Sequence, residues 1–423
     1  MSKVVAIILF ALTYICLLGL PKYRAYVALV SAALFVALGF VPIGEVFATV
    51  DWNVIMMIAG TMGTVALFIE SKMPARLADM LIERTPNVKW AVIVLSLFAS
   101  LISAFVDNVA TVLMVAPVAL TIAGKLGISP VNSIIAISIA SNLQGAATLV
   151  GDTTSILLGG HADMNFLDFF FFQGKPGLFW IVQVGMIVST LVLLWVLRKD
   201  TKPIVPVGRT KVTNFFPTYL LVGTVVLLII ASFIPNTPKT INGIICISLF
   251  VVGLIENLVR TKSTDMLTTA LAEIDYFTLL LLAGLFVVIG GITNAGVVTD
   301  ISTLFVKLSG DNLFLIFTLI VWASVLFSAF IDNIPYVATM LPVTGQIAAI
   351  MGIEPYILYF GLLVGATLGG NLTPIGASAN ITGLGILRRE GYEVSAGHFM
   401  KISVPFTLAA VVTGYILVWV LWS

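Results

Sequence analysis

Runs of about 20 apolar residues recur along the chain, each long enough as a helix to cross a hydrocarbon core of roughly 30 Å. They predict full crossings near 4–20, 25–44, 52–70, 131–160, 177–197, 215–234, 240–259, 275–296, 355–386 and 400–422. Two of these, 131–160 and 355–386, are too long and too interrupted for simple helices. Each has a polar, Gly-rich centre, NLQGAATLVGDTTS in one and GGNLTPIGASAN in the other, and each reads as a broken helix. Two further apolar pairs, 88–105 with 109–123 and 312–330 with 334–350, meet a polar break after too few residues for comfortable return crossings. They predict re-entrant hairpins with tips at Asp107-Asn108 and Asp332-Asn333. Short amphipathic stretches at 72–86 and 298–309 read as interfacial connectors.

The two halves repeat. SAFVDNVATVLMVAPV at 103–118 aligns with SAFIDNIPYVATMLPV at 328–343, an offset of 225. The same offset carries Gly145 to Gly370, Thr148 to Thr373 and Gly151 to Gly376, and Asp51-Trp52 answers Asp275-Tyr276 at 224. Five crossings per half is an odd number, so the second copy is expected upside down relative to the first. Inverted repeats with broken helices are a transporter signature, with the site near the midplane. The predicted fold is therefore an all-α integral membrane protein of two inverted repeats of five transmembrane helices, 1–197 and 215–423, joined by a basic cytoplasmic linker at 198–214.

Composition excludes the alternatives. Of 423 residues, 60% are hydrophobic and 10% charged, against roughly a quarter charged in a soluble domain. Soluble enzymes, nucleic-acid binders and disordered scaffolds are ruled out, and a net charge of +1 offers no field to a polyanion. Cys16 and Cys246 lie in apolar runs, His161 and His398 are isolated, and no nucleophile–base pair stands out, so neither a metal enzyme nor a hydrolase is expected. The first apolar run reads as a retained transmembrane helix, not a signal peptide. Of the 21 Lys and Arg residues, 17 fall on one predicted side and only Lys3, Lys175, Lys239 and Lys307 on the other. The positive-inside rule makes the first side cytoplasmic and puts both termini outside.

Ionisable groups at membrane depth are costly and mark function. Three carboxylates fall at predicted breaks: Asp107 and Asp332 at the hairpin tips, and Asp152, whose repeat mate is Ala377. Each is also a good helix N-cap. Around them are the neutral oxygen ligands Asn108, Asn142, Thr148, Thr153, Thr154 and Ser155 of the first half, and Asn333, Thr367, Asn371, Thr373, Ser378 and Asn380 of the second. Such oxygens suit Na⁺, expected at Asp107, Asn108, Asp152, Asp332, Asn333 and Asn380, or a proton relay. Half-helices starting after 108, 153, 333 and 378 point N-termini inward and favour an anion or an oxygen-rich solute. Gly151 and Gly376 permit the backbone reversals. No Lys or Arg lies inside either hairpin core or broken helix, so the three acids are expected to lack a basic partner. That weighs against a di- or tricarboxylate cargo.

With these motifs the sequence resembles the ion transporter superfamily, within it the arsenite permease, NhaD-type antiporter and P-protein branch with its citrate-transporter-like domain. The likeness covers essentially the whole chain and rests on SAFVDNVATVLMVAPV, GAATLVGDTTSILLGG with NFLDFF, SAFIDNIPYVATMLPV and GGNLTPIGASANITGL. It implies scaffold helices at 1–70 and 215–296, mobile hairpins at 88–123 and 312–350, mobile broken helices at 131–160 and 355–386, an elevator-like movement and a homodimer. Asp107-Asn108 and Asp332-Asn333 match the family's hairpin-tip pairs, and Asn380 matches the Asn of its second break. Relatives commonly read G-D-P-P-N in the first break, where this chain has Gly151-Asp152-Thr153-Thr154-Ser155. The expected function is secondary transport of a small inorganic solute or anion of the arsenite type, coupled to H⁺ or Na⁺, in the inner or plasma membrane. Na⁺/H⁺ antiport is the alternative, Na⁺-coupled di- or tricarboxylate symport the third reading, and an ion channel the competing class. No cofactor beyond the coupling ion is expected; a soluble ATPase subunit is expected only for an arsenite pump.

Overall fold

A computed structural model describes residues 3–203, 208–310 and 312–423. Ten helices precede the linker and ten follow it. The first ten are α1 (Lys3–Gly19), α2 (Arg24–Ala37), α3 (Val46–Thr49), α4 (Trp52–Glu70), α5 (Met73–Ile82), α6 (Val88–Ser103), α7 (Asn108–Leu126), α8 (Val131–Gln144), α9 (Thr153–His161) and α10 (Leu178–Val196). The second ten repeat that order: α11 (Phe216–Ser232), α12 (Ile241–Thr261), α13 (Asp265–Ala272), α14 (Tyr276–Asn294), α15 (Val297–Ser309), α16 (Leu313–Ser328), α17 (Asn333–Met351), α18 (Tyr356–Leu363), α19 (Ser378–Arg389) and α20 (Ala396–Trp422). The chain is thus a helical multi-pass membrane protein. Its one strand pair among the described residues is a short ribbon, Phe171–Phe172 with Lys175–Pro176, before α10.

The duplicated sequence starts its helices with duplicated caps. Asp51 Oδ1 accepts from Val54 N at 3.1 Å to begin α4, and Asp275 Oδ1 accepts from Thr278 N at 3.0 Å to begin α14. Asp107 and Asp332 do the same for α7 and α17. Such caps stabilise a helix by about 0.5–2 kcal/mol, so the positions of the acids set the starts of the long segments.

Several boundaries differ from expectation. The crossing expected over 25–44 ends as α2 at Ala37, because Gly39 turns the chain at φ +72°. Helices α1 and α2 are bent by 114° at Pro21. The return arms α7 and α17 run on to Leu126 and Met351, 19 residues each, about 28 Å. They are therefore long enough to cross a membrane, contrary to the shortness expected of them. Both broken helices are interrupted where the polar centres lie. The second loosens through a π-helical turn at Val364–Leu368, and α19 continues to Arg389. Among the described residues seven helices qualify as spans by length and composition, or nine if each bent pair counts as one, so the ten crossings expected are not reproduced by length alone.

The halves interlock. Helix α4 packs along α12, α14 along α2, and α10 along α20. Without water to drive helices together, close approach depends on small residues. A Cβ at Gly60 would lie 2.4 Å from the Cys246 backbone, and one at its repeat mate Gly284 would lie 2.7 Å from the Ala28 backbone. Residues 204–207 of the expected linker lie outside the described residues. Its remainder docks on α5: Thr210 N donates to Asp79 Oδ2 at 2.8 Å and Arg209 pairs with Glu83 at 2.8 Å. The Arg209 guanidinium holds the Glu83 carboxyl below its ordinary range.

Gly60→Ala is expected to lower the apparent melting temperature of the purified protein, since overpacking costs about 1–3 kcal/mol. Gly185→Ala, where the nearest atom is 3.5 Å away, should melt like the parent. Equal melting of the two variants contradicts the packing account.

Candidate functional site

Both hairpin tips meet the two broken helices at one place. At the first tip, Asp107 Oδ1 accepts from Val109 N (3.0 Å) and Ala110 N (3.2 Å), while Oδ2 has no hydrogen-bond partner among the described residues. Asn108 Nδ2 donates to Asn142 Oδ1 at 3.0 Å, and Asn142 Nδ2 donates across to the Thr367 carbonyl of the second broken helix at 2.7 Å. Asp152 is buried at the start of α9. Its Oδ1 accepts from Thr153 N at 2.8 Å, and its Oδ2 accepts from Thr154 Oγ1 at 3.0 Å and from Asn333 Nδ2 of the second tip at 3.4 Å. Thr154 and Thr367 share a hydroxyl contact of 2.9 Å. Each half therefore contributes polar atoms to the other half's break.

The repeat fixes the breaks by mirrored bonds. The Thr148 hydroxyl donates to the Ala104 carbonyl, and Thr373, 225 residues on, donates to the Ala329 carbonyl. Ser155 Oγ donates to the Gly145 carbonyl at 3.0 Å; its mate Asn380 points Nδ2 at the Gly370 carbonyl (3.5 Å) and the Thr373 carbonyl (3.3 Å). The serine that departs from the family pattern thus reaches the carbonyl equivalent to the one the asparagine reaches. A Cβ at Gly376 would sit 2.5, 2.6 and 2.8 Å from the carbonyl oxygens of Gly370, Ser328 and Ala329. At Gly151 the equivalent distances are 2.7, 3.0 and 3.0 Å to Gly145, Ala104 and Ser103. Only glycine fits at either position.

A cavity of about 140 Å³ opens on these groups. It is lined by Asp107, Asn108, Asp152, Thr153, Asn333 and Ser378 of the expected set. The rest do not line it: Thr148, Ser155, Thr373 and Asn380 hold backbone, and Asn142, Thr154 and Thr367 tie the two halves together. The Oδ1 atoms of Asn371 and Asn380 are buried without a partner. Asp332 borders the cavity through Ser378 Oγ at 3.5 Å.

Three groups were not foreseen. Glu273 and Asp275, before α14, line the cavity opposite the hairpin tips. The only sequence signal was the repeat of Asp51 as Asp275. Arg24, at the start of α2, pairs with Asp332 at 3.1 Å. This corrects the expectation that all three acids lack a basic partner: the cation comes from a helix far away in sequence, where it counted only as a flanking charge. Among the described residues, no three His, Cys, Asp or Glu side chains are placed to hold a metal ion together. A Na⁺ ion here would draw on amide, hydroxyl and backbone oxygens beside its carboxylate.

A family profile described as Citrate transporter matches residues 7–365. The chain belongs to the citrate transporter family. Its relatives include a transporter of Mycobacterium tuberculosis, 31% identical over 99% of this chain and 98% of the relative. The human P protein is 26% identical over 87% of this chain, which spans 54% of that longer protein. The crystal structure of the Alcanivorax borkumensis YdaH transporter covers 94% of this chain and 96% of its own with a TM-score of 0.61 at 15% identity, a likeness of fold. This citrate-family member is a secondary transporter within the membrane, not an enzyme.

Asn142→Leu strands the Thr367 carbonyl and the Asn108 amide. Each buried unsatisfied group costs about 1–3 kcal/mol, so the variant should melt well below the parent. Thr121→Val, which removes an exposed hydroxyl, serves as the control and should not shift melting. A parent-like Asn142→Leu contradicts the tie between halves.

Proposed function

We propose that the protein is a cation-coupled secondary transporter whose coupling ion, Na⁺ or H⁺, binds between Asp107 and Asp152, and whose cargo is small and not a multiply charged anion. The observation that carries this reading is the lining of the cavity. Asp107, Asp152, Glu273 and Asp275 face one space of about 140 Å³, and among its described lining residues there is no Lys or Arg. A low-dielectric site with that balance attracts a cation and repels citrate or succinate unless each charge is offset by a co-bound ion. Asp107 Oδ2, free of hydrogen bonds, is the ready ligand, with Asp152, Asn108 and Asn333 beside it. The cargo read first is a neutral inorganic solute of the arsenite type. The four carboxylates also favour Na⁺/H⁺ antiport, in which the two cations compete for the same acids.

The two repeats are not in the same local state, which supports an elevator-like movement. A Cβ at Gly160 of α9 would lie 2.6 Å from Asp51 Oδ2 at the start of α4, so the two elements are in contact. Its mate Gly385 in α19 has nothing within 4 Å, and the start of α14 faces the cavity instead. Exchange of the two arrangements, with α19 closing on α14 and α9 leaving α4, would carry the site to the other side. A larger space of about 800 Å³, bordered by Asp51, His161 and Lys239, lies at the opposite end and gives the mobile elements room. The positive-inside rule makes the open end of the small cavity, beside Ile69 and Asp275, cytoplasmic.

Flux into proteoliposomes under an imposed Na⁺ or pH gradient tests the reading with arsenite, Na⁺, succinate and citrate in turn. Gradient-driven movement of arsenite or Na⁺ is expected, and Asp107→Asn and Asp152→Asn should each lower it to background while the protein stays folded. Parent-like flux in both variants, or coupled uptake of citrate alone, contradicts it.

A further inference from the structure

Among the described residues the Arg24–Asp332 ion pair has no counterpart in the other repeat. Arg24 lies at the corner between α1 and α2, and its Nη1 reaches Asp332 Oδ2 at 3.1 Å, with the two side chains 18% and 16% exposed. The guanidinium is itself held in place: its Nε donates to the Leu17 carbonyl at 3.0 Å. The same corner grips the second hairpin again through Tyr14, whose hydroxyl donates to the Pro335 carbonyl at 2.8 Å and contacts the Thr339 hydroxyl. Gly284 against Ala28 answers Gly60 against Cys246, so α12 follows α2 at an offset of 218 and Arg24 falls on Asn242, which has no charge. Asp107 correspondingly meets only backbone N–H groups.

Helix α2 packs along α14, away from the broken helices, whereas Asp332 sits on a hairpin that faces them. The pair therefore joins elements that must part if the hairpin is to move. It also occupies the carboxylate that would otherwise receive a cation in the second half. We propose that Arg24 is a built-in counter-ion and latch. It pins the second hairpin tip to the α1–α2 corner in this conformation, and Asp332 accepts a coupling cation only after Arg24 has left it. In the conformation described, the first half alone is open to the ion. Arg24 is a positioning residue, acting through Asp332 and not on the cargo. The assignment of the cation rests on the reading given under Proposed function; the latch does not.

Hydrogen exchange followed by mass spectrometry on the purified full chain separates the two. Arg24→Gln should speed exchange in peptides covering 329–336 by about tenfold or more, the effect of losing one charge-assisted bond. Peptides covering 104–111, the mirrored tip, should exchange as in the parent. Asp332→Asn should give the same pattern, the double variant should add nothing further, and Arg24→Lys should restore most of the protection. Equal acceleration at both tips would mark a merely structural arginine and overturn the proposal, as would no change at either tip or additive single effects. Should Arg24→Gln not fold, Asp332→Asn on the intact arginine reads the same pair with the same two outcomes. Failure of the flux experiment with the exchange pattern intact would remove the cation assignment and keep the latch.

Discussion

A backbone carbonyl exposed at membrane depth has no water to bond, so a helix can be broken there only where protein atoms replace its lost ladder. The rest of the site depends on how this chain meets that demand. Thr148 and Thr373 donate to the carbonyls of Ala104 and Ala329, which cap the first hairpin arm of the same repeat. Ser328 donates to the Ala366 carbonyl at 2.5 Å and Asn371 to the Ile139 carbonyl at 2.8 Å. Each bond ties a hairpin arm or the other broken helix to a break. The breaks and tips therefore form one polar unit, and Asp107, whose Oδ2 is left over, lines the cavity beside the hydrogen-bonded Asp152.

That unit packs against an apolar frame built from the pairs α4 with α12 and α14 with α2. The frame is tight because Gly60 and Gly284 let backbones touch. The contacts between the unit and the frame are fewer, and they differ between the halves. Gly160 rests on Asp51 while Gly385 rests on nothing. Arg24 and Tyr14 hold the second tip, and among the described residues no charged group from outside holds the first. On the exchange proposed above, the few polar bonds that differ between the halves would set the balance between the two arrangements.

Much of the site was legible in the sequence because duplication makes chemistry visible. The tips at Asp107-Asn108 and Asp332-Asn333, the breaks around Asp152 and Asn380, and the glycines at 151 and 376 all stand out as polar or small residues repeated inside apolar runs. The half-helices expected to start after 108, 153, 333 and 378 begin at those residues themselves, one position earlier. Three-dimensional neighbours far apart in sequence were not legible. Arg24 and Asp332 are 308 positions apart, and nothing in the local pattern distinguishes Arg24 from Lys22 as a flanking charge. The length of α7 and α17 was also missed, since apolar content fades at Gly124-Lys125-Leu126 although the helix continues to its Gly127 cap. The exact roles within the cluster divided along the same line. Thr148 and Thr373 are polar residues at depth like Asn108 and Asn333, and only their bonds show that they serve the backbone and not the cavity.

One cation is proposed to be bound by Asp107 and Asp152. An ion that binds the folded protein stabilises it by mass action, so the most direct measurement is the melting temperature as Na⁺ concentration and pH are varied separately. The account predicts that one of the two cations raises the melting temperature of the parent in a saturable way. It also predicts that the rise vanishes when Asp107→Asn and Asp152→Asn are combined. An equal rise in the double variant, or no rise with either cation in the parent, contradicts it.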